Sequence, residues 1–258
     1  MIPRASAAAG LAAVALALGA CGGNDSHEEI TVFAAASLTD AFGELATAFE
    51  AEHPGVTVRL SLAGSAALRT QILEGAPADV FASASPDEVA ALAAAGLVRD
   101  QQTLASNSLV VATRADGIGS FQDLAAPGVR LVLAGEDVPA GRYARAALAL
   151  ADTDGTYGED FAGRVLANVR SNEANVRAAL AKVELGEADA AIVYATDLAA
   201  AGDVRAVPVP DRFQVAAEYR IALLSGSDAA AAFVAFATSP EGTAVLTRHG
   251  FMAVGVTP

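Results

Sequence analysis

From Ile30 onward, short runs rich in Val, Ile, Phe and Leu alternate with longer stretches in which apolar residues recur every three or four positions. The short runs predict strands at Ile30 to Ala34, Val56 to Ser61, Val80 to Ala82, Leu109 to Thr113, Arg130 to Ala134, Ala190 to Tyr194 and Glu218 to Leu223. The longer stretches predict helices. Leu38, Phe42, Leu45 and Phe49 share a face after Ser37, and Leu68, Ile72 and Leu73 follow Ser65 in the same way, so both serines fall where a helix begins. Another helix opens near Pro139, where a proline in the first turn has no N–H to waste. A further helix runs from Val176 to Leu185, started by Asn175 or Asn172 and stopped by Gly186. Strand and helix in alternation is the rhythm of a doubly wound α/β fold.

Two places in this rhythm read as crossovers. The polar Ser106-Asn107-Ser108 precedes the strand at Leu109, and the segment Pro208 to Phe213 precedes the strand near Glu218. They divide the body into a first lobe, residues 28–107 plus 218–258, and a second lobe, residues 108–217. Two lobes joined by two crossings make a hinge around a cleft.

The first residues follow another pattern. Arg4 precedes an apolar stretch from Ala5 to Ala20 that is short for a membrane span, and Leu18-Gly19-Ala20-Cys21 resembles the lipobox of bacterial lipoproteins. Residues 1–20 therefore read as a lipoprotein signal peptide, Cys21 as the lipid attachment site and residues 21–29 as a tether. The protein is expected outside the cytoplasm, held to the membrane by the lipid alone.

Composition narrows the chemistry. The apolar fraction of 53% is largely alanine spread among polar residues. A formal charge of -14 makes nucleic acid a poor partner. Cys21 is the one cysteine, so neither a disulfide framework nor a cysteine metal site exists in the body. His27, His53 and His249 lie far apart, which argues against a metal-binding module. A serine hydrolase would need Ser37 or Ser65 beside His53 or His249, and neither serine stands in a Gly-x-Ser-x-Gly elbow.

The candidate chemistry lies at the loop-to-helix junctions at Ser37, Ser65, Ala140 and Asn175-Val176. The first N–H groups of a helix have no intrahelical partner, and together with the helix dipole they favour an anion. Each junction taken alone reads as an ordinary cap or helix entry. Tyr194 alone reads as a core tyrosine. Arg69, Arg142 and Arg177, one turn into these helices, are expected to project to solvent.

Several segments shift that balance. Ile30-Thr31-Val32-Phe33-Ala34-Ala35-Ala36-Ser37-Leu38-Thr39, Gly75-Ala76-Pro77-Ala78-Asp79-Val80-Phe81, Asn107-Ser108-Leu109-Val110-Val111, Val138-Pro139-Ala140-Gly141-Arg142-Tyr143-Ala144, Asn175-Val176-Arg177 and Ile192-Val193-Tyr194 occur in one order and at compatible spacing. Together they resemble the molybdate-binding proteins of ABC transporters. The resemblance implies a type II periplasmic-binding-protein fold of two lobes, each a doubly wound mixed sheet, hinged by two crossover strands. It also implies a monomer that captures molybdate or tungstate, uses no cofactor, and delivers the ion to a membrane permease. The oxyanion contacts carried over are the hydroxyls and amides of Ser37 and Ser65, the backbone N–H groups of Ala140 and Val176, and the Tyr194 hydroxyl. The match is weakest at Ala63-Gly64-Ser65-Ala66-Ala67, where relatives show a run of serines. Molybdate and tungstate carry no proton near neutrality, so a site of donors alone suits them, whereas phosphate would also want an acceptor. Sulfate presents the same acceptors, and cavity size alone would separate it.

Overall fold

A computed structural model describes Met1 and residues 27–254. The expected signal peptide, Cys21 and most of the expected tether lie outside the described residues. The chain adopts the expected α/β architecture in two lobes, each built on a five-stranded mixed sheet. In the first, β1 (Glu28–Ala35), β2 (Val56–Ala63) and β3 (Val80–Ser83) run parallel, while β4 (Asp100–Asn107) lies at the far edge. In the second, β6 (Leu131–Ala134), β7 (Val169–Glu173) and β8 (Ala190–Tyr194) run parallel, and β5 (Leu109–Thr113) is antiparallel between β8 and β9 (Arg205–Pro208). The chain then returns to the first sheet, where β10 (Ala217–Leu223) inserts antiparallel between β3 and β4. The sheet orders β2-β1-β3-β10-β4 and β7-β6-β8-β5-β9 match position for position. In each, the antiparallel strand is the one that the chain enters on crossing from the other sheet.

The strands that the hydrophobic pattern missed are β4, β7 and β9. All three are edge strands. An edge strand buries little of its surface and so carries a weak apolar signature. Val169-Arg170-Ser171-Asn172-Glu173 has no fully buried residue, and Asp100-Gln101-Gln102 is wholly exposed. Ser106 and Asn107, read as a polar linker, belong to β4, and the linker shrinks to Ser108.

The helices follow their apolar spacing. In α1 (Thr39–Glu52), Phe42, Leu45, Ala46 and Phe49 point inward. Phe233 of α7 (Asp228–Ala237) meets Phe49 edge-on, with ring centroids 5.3 Å apart, and packs against Phe42 at 6.2 Å. α8 (Pro240–Arg248) follows α7 and packs beside α1. The remaining helices are α2 (Ser65–Leu73), α3 (Pro86–Ala94), α4 (Pro139–Asp154), α5 (Phe161–Ala167) and α6 (Val176–Glu184). Because successive parallel strands are joined by helices, the strand-to-helix turns gather at the carboxyl ends of the strands, where open α/β sheets form their crevices.

Phe233 is fully buried between two other phenylalanines. Phe233→Ala should lower the unfolding free energy by about 3–5 kcal/mol, read from the shift in a urea unfolding midpoint at constant m-value.

Candidate functional site

One small pocket is bordered by residues from both lobes. The first lobe contributes Ser37, from the single 3₁₀ turn Ala36–Leu38 after β1, and Gly64-Ser65 at the β2–α2 junction. The second contributes Val138 to Ala140 at the start of α4, Asn175-Val176 at the start of α6, and Tyr194 at the end of β8. Ser37, Ser65, Ala140, Val176 and Tyr194 thus face one hollow. All five are buried, with exposures between 1% and 4%.

Local sequence explains each placement. In α6, Asn175 caps the helix by accepting from the Ala178 N–H at 2.9 Å, so Val176 is the first helical residue and its own N–H has no intrahelical partner. Pro139 opens α4, and Arg142 is the first residue whose N–H turns back into the chain, to the Val138 carbonyl at 3.0 Å. The N–H groups of Ala140 and Gly141 are left over. Gly141 is required here by space: a side-chain carbon would come under 3.0 Å from the backbone carbonyls of Ala134 and Gly135. Helix α4 can therefore start tight against the end of β6.

Neither serine is a helix cap. The Ser65 hydroxyl accepts from the Ala84 N–H at 3.1 Å, which leaves its hydrogen free to donate. The Ser37 hydroxyl pairs with the Tyr219 hydroxyl at 2.8 Å, and Tyr219 is in turn hydrogen-bonded to the Asn107 side chain. The Tyr194 ring packs edge-on against Tyr219, with centroids 5.9 Å apart. Its hydroxyl is buried and has no partner among the described residues. Burial pushes the Tyr194 phenol well above its ordinary value, so it remains a donor across the physiological range. Among the described residues, no charged side chain borders the pocket.

The charges form the next layer. Arg142 and Arg177, expected to project to solvent, instead reach across the cleft, and Arg69 turns to the same carboxylate as Arg142. Arg142 of the second lobe meets Glu88 of the first at 2.8 Å, and Arg69 meets the other Glu88 oxygen at 2.8 Å. Glu88 is 1% exposed. A carboxylate buried to that extent needs counter-charges, and this draws the arginines inward. Arg177, next to Val176, bridges Asp40 of the first lobe at 2.6 Å and Asp197 of its own lobe at 2.8 Å. The Arg177 Nε and the Asp197 oxygen are close without being aligned for a hydrogen bond. A second Asp197 oxygen accepts from the Tyr194 N–H at 3.2 Å, fixing the backbone that carries the tyrosine.

Sequence reasoning did not single out Asp40, Gly64, Glu88, Asp197 or Tyr219. Asp40 and Glu88 sit in first helical turns, where acids ordinarily complement the dipole. Nothing in the chain marks them as reaching across a cleft. His249 borders a neighbouring cavity together with Ser37, but its ring pairs with Glu44 at 2.8 Å while the Ser37 hydroxyl is held by Tyr219. No serine–histidine couple forms among the described residues at this site.

Residues 30–252 match the family model of the bacterial extracellular solute-binding proteins. The molybdate-binding protein ModA of Mycobacterium tuberculosis is 38% identical over 238 residues, covering 89% of this chain and 87% of that protein. ModA of Escherichia coli is 37% identical over 248 residues, covering 90% and 93%. Among solved structures, the sulfate-binding protein SubI from Mycobacterium tuberculosis superposes with a TM-score of 0.79 at 24% identity, over 89% of this chain and 88% of that one. At that identity, the likeness bears on the fold alone.

Asp197 gives the site a pH signature. Burial outweighs the neighbouring Arg177 and lifts its carboxyl to about 6. The folded protein thus holds this proton more tightly than the unfolded chain, whose aspartate titrates near about 4. The group's contribution to stability is therefore greatest at low pH and declines as pH rises from about 4 through about 6. Relative to Asp197→Asn, the parent protein should lose roughly 2–3 kcal/mol of unfolding free energy between about pH 4 and pH 7. Urea unfolding of both proteins at the two pH values checks this, and a constant difference would contradict it.

Proposed function

The chain belongs to the bacterial extracellular solute-binding proteins, and we propose that it is the molybdate-capturing component of an ABC importer, delivering its ion to a membrane permease. The observation that carries this reading is the buried Tyr194 hydroxyl, a donor with no partner among the described residues, at a pocket bordered by helix starts and hydroxyls and by no charged side chain. Such a pocket matches a ligand that is all acceptor. Molybdate and tungstate fit that description. Phosphate near neutrality keeps a proton and would leave it without a carboxylate to receive it.

In this reading the first lobe offers the Ser37 and Ser65 hydroxyls, and the second offers the Ala140 and Val176 N–H groups and the Tyr194 hydroxyl. The hydrogen-bond chain behind Ser37 supports its role. Either hydroxyl of the Ser37–Tyr219 pair can donate; with the Asn107 amide beside Tyr219 as a donor, Tyr219 is free to donate to Ser37 and leave the serine's own hydrogen for the ion. Ser65 is arranged alike, because accepting from the Ala84 N–H orients its hydroxyl as a donor. The ion's two negative charges are met by the dipoles of α4 and α6 and by the donated hydrogen bonds, while Arg142 and Arg177 one layer out are already engaged by Glu88, Asp40 and Asp197. The work of the protein is recognition, with no cofactor and no bond made or broken.

The lobes assigned to this closure are residues 28–107 plus 218–258 and residues 108–217. Cys21 is assigned as the lipid attachment site, which tethers a monomeric receptor outside the cytoplasm beside its permease.

Calorimetric titration of oxyanion-free protein should show tight binding of molybdate and tungstate, weaker binding of sulfate and none of phosphate. Each charge-assisted hydrogen bond contributes about 1.5–3 kcal/mol. Tyr194→Phe and Ser37→Ala should therefore each weaken molybdate binding by about ten- to a hundredfold. Sulfate preferred over molybdate, or no binding of any of these ions, would refute the assignment.

A further inference from the structure

We propose that Gly64 is the mechanical stop that sets the size of the closed cavity, and through it the preference among tetrahedral dianions of different radius. The inference rests on the ligand reading above and adds a residue that borders the pocket without being one of the five inferred donors. Gly64 lies between β2 and α2 with φ -61° and ψ 135°, an extended conformation open to any L-residue. Its own lobe therefore gives no reason for glycine at this position. The reason lies across the cleft. A side-chain carbon on Gly64 would come under 3.0 Å from the Ala174 carbonyl oxygen and to 3.6 Å from the Asn175 Cβ. Both belong to the second lobe. A backbone oxygen cannot swing aside as a flexible side chain does, so the two lobes meet main chain against main chain at this point.

The position of this contact gives it leverage. Ser65, a donor of the first lobe, directly follows Gly64, and Val176, a donor of the second, lies two residues after Ala174. The separation of the hydroxyls from the amides is thus read off the Gly64–Ala174 approach. Two bridges press the contact shut: Arg142 to Glu88 at 2.8 Å and Arg177 to Asp40 at 2.6 Å. Closure proceeds until the backbones touch, and the cavity left at that point suits one ionic radius. A stop one methyl group thicker would leave a wider cavity, stretching hydrogen bonds to every ion and most to the smallest.

The test is Gly64→Ala in the full-length mature protein, with calorimetry against sulfate, chromate, molybdate and tungstate and thermal unfolding without ligand. The expected result is unchanged ligand-free unfolding, molybdate and tungstate at least about tenfold weaker, and sulfate and chromate weakened further. Small-angle scattering should show that molybdate compacts the variant less than the parent. Molybdate affinity within about twofold of the parent, or a gain of the smaller ions relative to molybdate, would overturn the proposal. So would a variant that fails to fold or melts lower without ligand, because the contact would then matter before closure. A parent protein that binds neither molybdate nor tungstate would instead overturn the functional reading on which the proposal rests.

Discussion

An ion with two charges can be held without a formal counter-charge only where donors are fixed in advance and water is shut out. The arrangement of this chain follows from that requirement. Helix starts supply N–H groups that the helix itself cannot use. The doubly wound topology brings several of them to one edge of each sheet. A second lobe of matching strand order supplies the opposite wall. No single element provides a site; the two edges together do. A side-chain lysine or arginine in the pocket would hold any anion, whereas oriented hydroxyls and amides reward only an ion whose every oxygen accepts.

The charged residues occupy a different layer with a different task. Arg142 and Arg177 stand next to the amides that face the pocket, yet they spend their charge on Glu88 and Asp40 across the cleft. Parting Arg142 from Glu88, which is 1% exposed, would remove one of the two counter-charges of a buried carboxylate, so the closed arrangement resists partial opening there. The net charge of -14 is a sum over the whole chain and does not describe what an incoming anion meets inside.

Much of this was legible in the chain. Alternating strand and helix patterns gave the architecture, and Pro139, Asn175 and Gly186 marked helix ends that the structure keeps. The five pocket residues follow from resemblance joined to the logic of helix starts, and they do border one hollow. What escaped is relational. Edge strands β4, β7 and β9 lack an apolar signature because they bury little. Asp40 and Glu88 look like ordinary first-turn acids until the partner lobe is placed beside them. Gly64 carries no backbone strain that would single it out, and Tyr219 becomes informative only when its hydroxyl is found against Ser37, 182 positions away.

The insertion of β10 between β3 and β4 has a consequence for synthesis. The second lobe is one continuous stretch of chain, so its contacts form within what has already emerged from the ribosome. The first sheet, by contrast, keeps an unpaired edge on β3 until residue 217 appears, well over a hundred residues after β3 itself. A nascent chain of that length displays a strand edge open to wrong partners. The first sheet is therefore the last to close: its edge on β3 is covered and β4 is joined to it only when residues 217–223 are available.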